Sequence, residues 1–271
     1  MPVTELPLSQ SGKGALEIAA SASREAGKLL LDHFDNEKQV IIKGKGNLVT
    51  NVDTLAEEYI IDRIKQEYPD HLIVSEESNS TNTPKGYTWI IDPLDGTNNY
   101  VYGIPFFGVN IALLYDRTVL LGITYDPVRQ ELFHAVRGNG AYLNNEPLKV
   151  SEARTLHDSM LGLDLGYSNK RGRELLDITC SLWWRVHCIR LVGSAALGLA
   201  YVAAGRMTTY IHRYVQPWDI ASGLLLIREA GGVVTNWKGK EAKHSDKKII
   251  ASNYAVHGQM LEFLGIDRDR R

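Results

Sequence analysis

Trp89-Ile90-Ile91-Asp92-Pro93-Leu94-Asp95-Gly96-Thr97-Asn98-Asn99-Tyr100 passes from a buried-strand pattern to a polar turn within a few residues. An aromatic and two β-branched side chains read as strand, and two carboxylates three positions apart, a glycine and a threonine then replace the apolar pattern. Pro93 fixes its own φ and biases Asp92 toward an extended backbone, and the turn brings Asp92 and Asp95 together. Carboxylates held that close repel one another unless a proton or a cation lies between them. Oxygen donors of this kind suit Mg²⁺, with Mn²⁺ as a substitute. A helix starting near Gly96-Thr97 directs its free N–H groups at the same place and offers a phosphate site. Taken alone, Asp95-Gly96-Thr97-Asn98 reads equally well as a capped turn.

Working outward, Leu72-Ile73-Val74 reads as a short strand that ends in Ser75-Glu76-Glu77. Downstream, Gln216-Pro217-Trp218-Asp219 reads as the start of a helix with a proline in its first turn and a carboxylate at its positive end. Val74 to Ser78, Asp92 to Tyr100, Gln216 to Gly223 and Glu229 to Gly232 together resemble, in order, the inositol monophosphatase family. These are Mg²⁺-dependent, lithium-sensitive phosphatases related to fructose-1,6-bisphosphatase.

The resemblance implies a layered α-β-α-β-α sandwich of α+β class, usually assembled as a homodimer. It implies two or three Mg²⁺ ions: Glu76, Asp92 and the Leu94 carbonyl at the first, and Asp92, Asp95 and Asp219 at the second. Thr97, coupled to Glu76, orients the attacking metal-activated water, and the N–H groups of Gly96 and Thr97 hold the phosphate. Asp53 helps to orient water, although a carboxylate at a helix start also serves as a cap. Gly193, Ser194 and Ala195, within Arg190-Leu191-Val192-Gly193-Ser194-Ala195-Ala196, reach substrate hydroxyls in the family, and the same residues make a natural helix start.

One segment departs from the pattern. Thr208 and His212 stand where inositol-cleaving members carry an aspartate and a glutamate near the substrate-binding face, and they cannot supply the same anionic acceptors. His212 with Arg213 points to a more anionic substrate, or to a surface pair without a ligand. The activity expected is therefore hydrolysis of a small phosphorylated metabolite, similar to inositol-1-monophosphatase. Fructose-1,6-bisphosphate, 3′-phosphoadenosine 5′-phosphate and histidinol phosphate are alternatives. A non-catalytic metal-binding regulatory protein or RNA-machinery partner on the same fold is the remaining reading.

Composition restricts the rest. The 271 residues, 44% of them hydrophobic, suffice for one large domain or two packed lobes. The polar stretch Ser151 to Asp158 suggests a seam between an N-terminal α+β lobe, 1–150, carrying most metal ligands, and a C-terminal α/β lobe, 151–271. With 30 basic and 32 acidic residues the formal charge is −2, against the strong positive balance of a nucleic-acid binder. Cys180 and Cys188 form no disulfide framework. No apolar run is long enough to cross a bilayer, and the first residues lack a signal-peptide pattern, so a cytoplasmic protein is expected.

Helices are expected over Ala15 to Phe34, from Asp53 onward, from Arg173 to Trp184 and through Ala203. An antiparallel meander is expected from Phe106 to Asn144, with His134 as an ordinary sheet residue. Lys43-Gly44-Lys45-Gly46-Asn47 reads as a flexible basic turn or a flap near the phosphate. The Trp183-Trp184 pair is expected in the core, with a dimer face as the alternative, and the charged tail from Asp267 is expected to fray.

Overall fold

The computed structural model describes residues 6–36, 39–44, 47–77 and 85–266. Lys45 and Gly46 of the basic turn, the polar loop 78–84 and the tail 267–271 lie outside the described residues.

In chain order, α1 (Ala15–Phe34) is followed by the hairpin β1 (Val40–Gly44) and β2 (Asn47–Thr50), and by α2 (Asn51–Glu67). β3 (Leu72–Ser75) and β4 (Tyr87–Asp95) precede a short helix, α3 (Thr97–Val101). The meander then runs through β5 (Gly108–Tyr115), β6 (Thr118–Asp126), β7 (Glu131–Val136), β8 (Ala141–Leu143) and β9 (Glu146–Pro147). After it come β10 (Met160–Asp164), α4 (Asn169–Leu182), β11 (Cys188–Leu191), α5 (Ala195–Ala203) and β12 (Thr209–His212). The described chain closes with α6 (Pro217–Glu229), β13 (Val233–Asn236), β14 (Ile249–Ser252) and α7 (Tyr254–Phe263).

The strands from β3 to β9 form a seven-stranded sheet in sequence order, with only β3 and β4 parallel. The later strands form a five-stranded sheet in the order β11-β10-β12-β14-β13. The expected seam, Ser151 to Asp158, falls between the last strand of the first sheet and the first strand of the second.

Side-chain alternation along the strands stacks these sheets into layers. Trp89, Ile91, Ile111 and Leu113 face α1 and α2, whereas Ile90, Ala112 and Leu114 face α5 and α6. In the second sheet Tyr210 and Ala251 face α5 and α6 from the other side, and Ile211 and Ile250 face α4 and α7. The order is therefore helices, sheet, helices, sheet, helices. Burying both faces of both sheets explains why the strands read as near-continuous apolar runs.

Two local features position the site. First, β4 continues through Pro93, whereas the sequence pattern suggests a strand that stops at Ile91. Asp92 pairs with Asn110 and Asp95 with Gly108, so three steps on β4 oppose two on β5. This bulge accommodates a residue without an N–H and turns both aspartates off the regular ladder. Second, α6 lies directly on β6, because a Cβ on Gly122 would stand 2.7 Å from the Ser222 Cα. Beside that contact, Asn110 donates to the Trp218 carbonyl and accepts from the hydroxyls of Thr124 and Ser222, which fixes the start of α6 to the sheet.

The Trp183-Trp184 pair corrects the sequence reading. Trp184 is 84% exposed and Trp183 54%, because α4 ends at Leu182 and a 3₁₀ turn carries both rings outward.

Candidate active site

The ends of β3, β4, β10 and β12 and the starts of α3, α5 and α6 meet around one cavity of about 890 Å³. Its walls include Glu76, Asp92, Leu94, Asp95, Gly96, Thr97, Gly193, Ser194, Ala195, His212 and Asp219. Asp53 is not on the wall and reaches it through Thr97. Apart from Asp53, Thr208 and Arg213, the residues the sequence reading singles out for chemistry or substrate contact thus border one space.

Each carboxylate is held by a separate local device. Asp92 accepts from the N–H of Leu94 at 3.1 Å, across the bulge. Asp95 Oδ1 accepts from the Ala195 N–H at 3.2 Å, and Oδ2 accepts from the Ala196 N–H at 2.9 Å and from the Ser194 hydroxyl. Asp219, in the first turn of α6, accepts from the Gln216 N–H at 2.7 Å. Glu76 follows β3, and its N–H donates to the Ile91 carbonyl at 3.2 Å, which brings it alongside Asp92. Glu77 turns away: its N–H donates to Glu57 on α2 at 2.9 Å.

These acids are crowded and buried. Asp92 is raised well above the usual carboxylate range, by desolvation first and then by the charges of Glu76, Asp95 and Asp219. Burial lifts Asp95 to about 6 against the pull of its α5 donors, and lifts Asp219 to about 7 with a further push from Asp95. Among the described residues no three such side chains already converge tightly enough to enclose an ion. Even so, an oxygen-only set whose members raise one another's proton affinity is the chemistry that a hard divalent cation relieves. The donors therefore fit Mg²⁺.

Asp53 caps α2 and also reaches Thr97. It accepts from the Thr50 N–H at 2.9 Å and from the Thr50 hydroxyl, while the Val52 and Asp53 N–H groups bond back to Thr50, which forms a capping box for α2. Its other oxygen lies 3.3 Å from the Thr97 hydroxyl, which also lies 3.0 Å from the Leu94 carbonyl. The sequence reading couples Thr97 to Glu76; the hydroxyl is seated between Asp53 and Leu94. Burial raises Asp53 to about 6.

Ser194 and Ala195 are the start of α5, and their donors are directed at Asp95. Gly193, at φ +75°, lies so close to Asn99 that a Cβ would stand 2.7 Å from its side-chain amide. Asn99 in turn donates to the carbonyls of Phe106 and Val192 at 2.8 and 2.9 Å.

His212 lines the cavity as a neutral ring, lowered to about 4 by burial. The Tyr214 N–H donates to its Nδ1 at 2.9 Å, which leaves the proton on Nε2. Arg213 is not on the wall; it pairs with Glu174 at 2.8 Å and lies 4.6 Å over the Trp237 ring. Thr208 sits at the opposite end of β12, where it accepts from the Met160 N–H at 3.3 Å. It is therefore remote from the substrate face on which the sequence comparison places it.

Two wall residues were missed. Asp164 ends β10 and accepts from the N–H groups of Val192 and Gly193, at 3.1 and 2.6 Å, and from the Tyr210 hydroxyl at 2.7 Å. Burial lifts it to about 7. Tyr167 is half-exposed, and its phenol is pushed up by desolvation and then by the charges of Glu76, Asp219, Asp95 and Asp92. A carboxylate closing a strand was the available signal for Asp164; Tyr167 offered none.

The sequence model of the inositol monophosphatase family matches residues 14–265. This chain belongs to the inositol monophosphatase family. It is 40% identical over 250 residues to the Nus factor SuhB of Escherichia coli strain K12, covering 91% of this chain and 94% of that one. It is 36% identical over 261 residues to inositol monophosphatase 1 of Solanum lycopersicum, covering 92% and 94%. Among solved structures, an IMPase of Thermotoga maritima superposes with a TM-score of 0.85 at 35% identity, over 92% of this chain and 96% of that one. Family and fold together support Mg²⁺-dependent phosphomonoesterase chemistry. No helix among the described residues is long and apolar enough to cross a membrane.

Proposed function

We propose that this protein hydrolyses a small-molecule phosphate monoester in a Mg²⁺-dependent reaction of the inositol-1-monophosphatase type. The observation that carries the proposal is the convergence of Glu76, Asp92, Asp95 and Asp219 on one cavity with the Asp53–Thr97 pair beside them. Glu76, Asp92, the Leu94 carbonyl, Asp95 and Asp219 hold the cations. When bound, Mg²⁺ neutralises the phosphoryl and leaving oxygens and acidifies water.

The chain's own groups do the rest. The Thr97 hydroxyl orients the attacking water and passes its proton toward Asp53, a carboxylate whose raised pKa of about 6 suits a base working near neutrality. The backbone N–H groups of Gly96 and Thr97 steady the phosphoryl oxygens as the P–O bond to the alcohol breaks. Neutral His212 offers Nε2–H to a substrate oxygen where an inositol-specific member offers a carboxylate. The name of the tomato relative supports inositol phosphate as a substrate; the histidine supports a more anionic one. Ser194 and Ala195 shape the same face through Asp95, and Gly193 through Asp164.

The test is phosphate release from inositol 1-phosphate, fructose-1,6-bisphosphate, histidinol phosphate and 3′-phosphoadenosine 5′-phosphate, with and without Mg²⁺. Turnover of at least one that disappears on chelation and in Asp95→Asn is the expected result. Absence of turnover with all four, together with Mg²⁺ binding, favours the second reading. That reading is an interaction protein, which the name Nus factor borne by the Escherichia coli relative supports.

A further inference from the structure

The polar row that fastens α6 to the first sheet is level with one of the carboxylates of the acidic cluster. Asp92 pairs with Asn110 across β4 and β5, and Asn110 with Thr124 across β5 and β6. The three side chains therefore stand in one line on the face that α6 covers. Each is at most 1% exposed. The adjacent row, Ile90-Ala112-Gly122, is apolar and ends in a glycine. The helix comes close there and meets hydrogen-bonding groups one row further on, level with Asp92.

Asn110 grips α6 at two points four residues apart. Its amide donates to the Trp218 carbonyl, and its side-chain oxygen accepts from the Ser222 hydroxyl and, at 2.8 Å, from that of Thr124. The two hydroxyls are themselves 2.8 Å apart. A carbonyl can only accept, so Trp218 dictates which end of the amide faces it. Two anchors about one turn apart fix both the rotation of α6 about its axis and its travel along it. The Trp218 carbonyl shares a peptide plane with the Asp219 N–H, so holding the one places the other. Asn110 thus links Asp92, through the strand pairing, to Asp219, through its side chain. Those two carboxylates repel each other. Apolar burial is non-directional and resists that push without fixing an orientation, whereas a hydrogen bond fixes one.

We infer that Asn110 is a positioning residue for the cation site: it sets the separation of Asp92 and Asp219 by clamping the start of α6 to β5, and Thr124 and Ser222 orient its amide. The inference rests on the reading of these carboxylates as Mg²⁺ ligands. Ligands on separate elements serve one ion when each is held to within about 0.5 Å, and a locked side chain that spans the two elements supplies that constraint.

Calorimetric titration of the full chain with Mg²⁺ reads the effect directly, with the Mg²⁺ dependence of phosphate release alongside. Asn110→Ala is expected to weaken Mg²⁺ binding about tenfold or more and to raise the Mg²⁺ midpoint of activity in step. Ser222→Ala keeps the amide and Thr124 and is expected to weaken binding less. Leu261→Ala is the control for stability alone: its side chain packs in the core of the second sheet with Leu161, Ile211 and Ile250, away from β4, β5 and α6. It is expected to lower Tm and to bind Mg²⁺ as the parent does. Binding in Asn110→Ala equal to the parent, or weakened no more than in Leu261→Ala, overturns the inference. Should Asn110→Ala not fold, Thr124→Val combined with Ser222→Ala, which leaves the amide in place without its two donors, gives the same discrimination. Binding about tenfold weaker in Asn110→Ala upholds the clamp even if no ester is hydrolysed, in which case the phosphatase reading alone fails. Unchanged binding in a variant of an active, Mg²⁺-dependent parent removes the clamp alone.

Discussion

Asp95 is held by Ser194, a residue 99 positions away, whose hydroxyl donates to Oδ2 while the next two N–H groups of α5 complete the grip. One carboxylate thus serves as an anion at the start of α5 and as a member of the acidic cluster. Ser194 also accepts from the Leu197 N–H at 3.3 Å as the N-cap of the helix. Ser194→Ala removes both functions. It is expected to cost about 1 kcal/mol of stability through the lost cap. It should also raise the Mg²⁺ concentration for half-maximal activity about tenfold, as loss of a bond to a ligating carboxylate does. A titration of activity against Mg²⁺, with a melting curve alongside, checks both; an unchanged Mg²⁺ midpoint would contradict the coupling.

The Thr97 hydroxyl lies between Asp53 and the Leu94 carbonyl, so a residue of the same shape without the hydroxyl isolates its chemistry. Thr97→Val is expected to lower kcat by about a hundredfold with little change in KM, and Thr97→Ser to retain most of the rate. Under the proposed proton path from Thr97 to Asp53, adding Asp53→Asn to Thr97→Val should cost much less than it does alone. Additive losses in the double variant would separate the two residues.

Asp164 supports the same region from the opposite sheet. One oxygen accepts two N–H groups at the Val192–Gly193 turn and the other accepts the Tyr210 hydroxyl. Asp164→Ala leaves three donors without this acceptor, the Tyr210 hydroxyl on a fully buried residue and the N–H groups of Val192 and Gly193 nearer the surface, and is expected to destabilise by about 1–2 kcal/mol. Asp164→Asn keeps an acceptor for the turn and lets its amide donate to Tyr210, so it should recover most of that loss. If Asp164 positions Asp95 through the turn, the alanine variant also shifts the Mg²⁺ midpoint and the asparagine variant does not.

What the sequence could show depended on how far apart the partners are. Asp92 and Asp95 are three residues apart with a proline between them, so their proximity could be read locally. The meander from Phe106 to Asn144 was legible in outline from apolar runs, and Asp116 and Arg117, both at positive φ, turn the chain between two of its strands. The path of β4 through Pro93 was not, because the bulge exists only against β5. Asp53 could be read as a cap, whereas its bond to Thr97 spans 44 positions. Asp164 reaches partners 28, 29 and 46 positions away, and its place at the end of a strand is all that marks it locally. Trp183 and Trp184 have core composition, and only the early end of α4 puts them outside.

The raised carboxylates make stability depend on pH with a definite sign. Asp53 and Asp95 near 6, and Asp219 and Asp164 near 7, hold protons that the unfolded chain, with carboxylates at 3.8, has already released. Between about pH 4 and 7 the folded state binds more protons, so these groups favour folding at the acid end and lose that contribution as pH rises. Mg²⁺ competes with the same protons and stabilises only the fold. Melting curves in chelator are therefore expected to show a Tm that declines from pH 5 to pH 8 through these groups, and added Mg²⁺ should raise Tm more at pH 8 than at pH 5. Asp95→Asn removes one of the repelling charges. It should flatten part of that slope and lose most of the Mg²⁺-induced rise together with most of the phosphatase activity. An equal Mg²⁺ shift at both pH values, or an undiminished shift in Asp95→Asn, would mean that the cation binds outside this cluster.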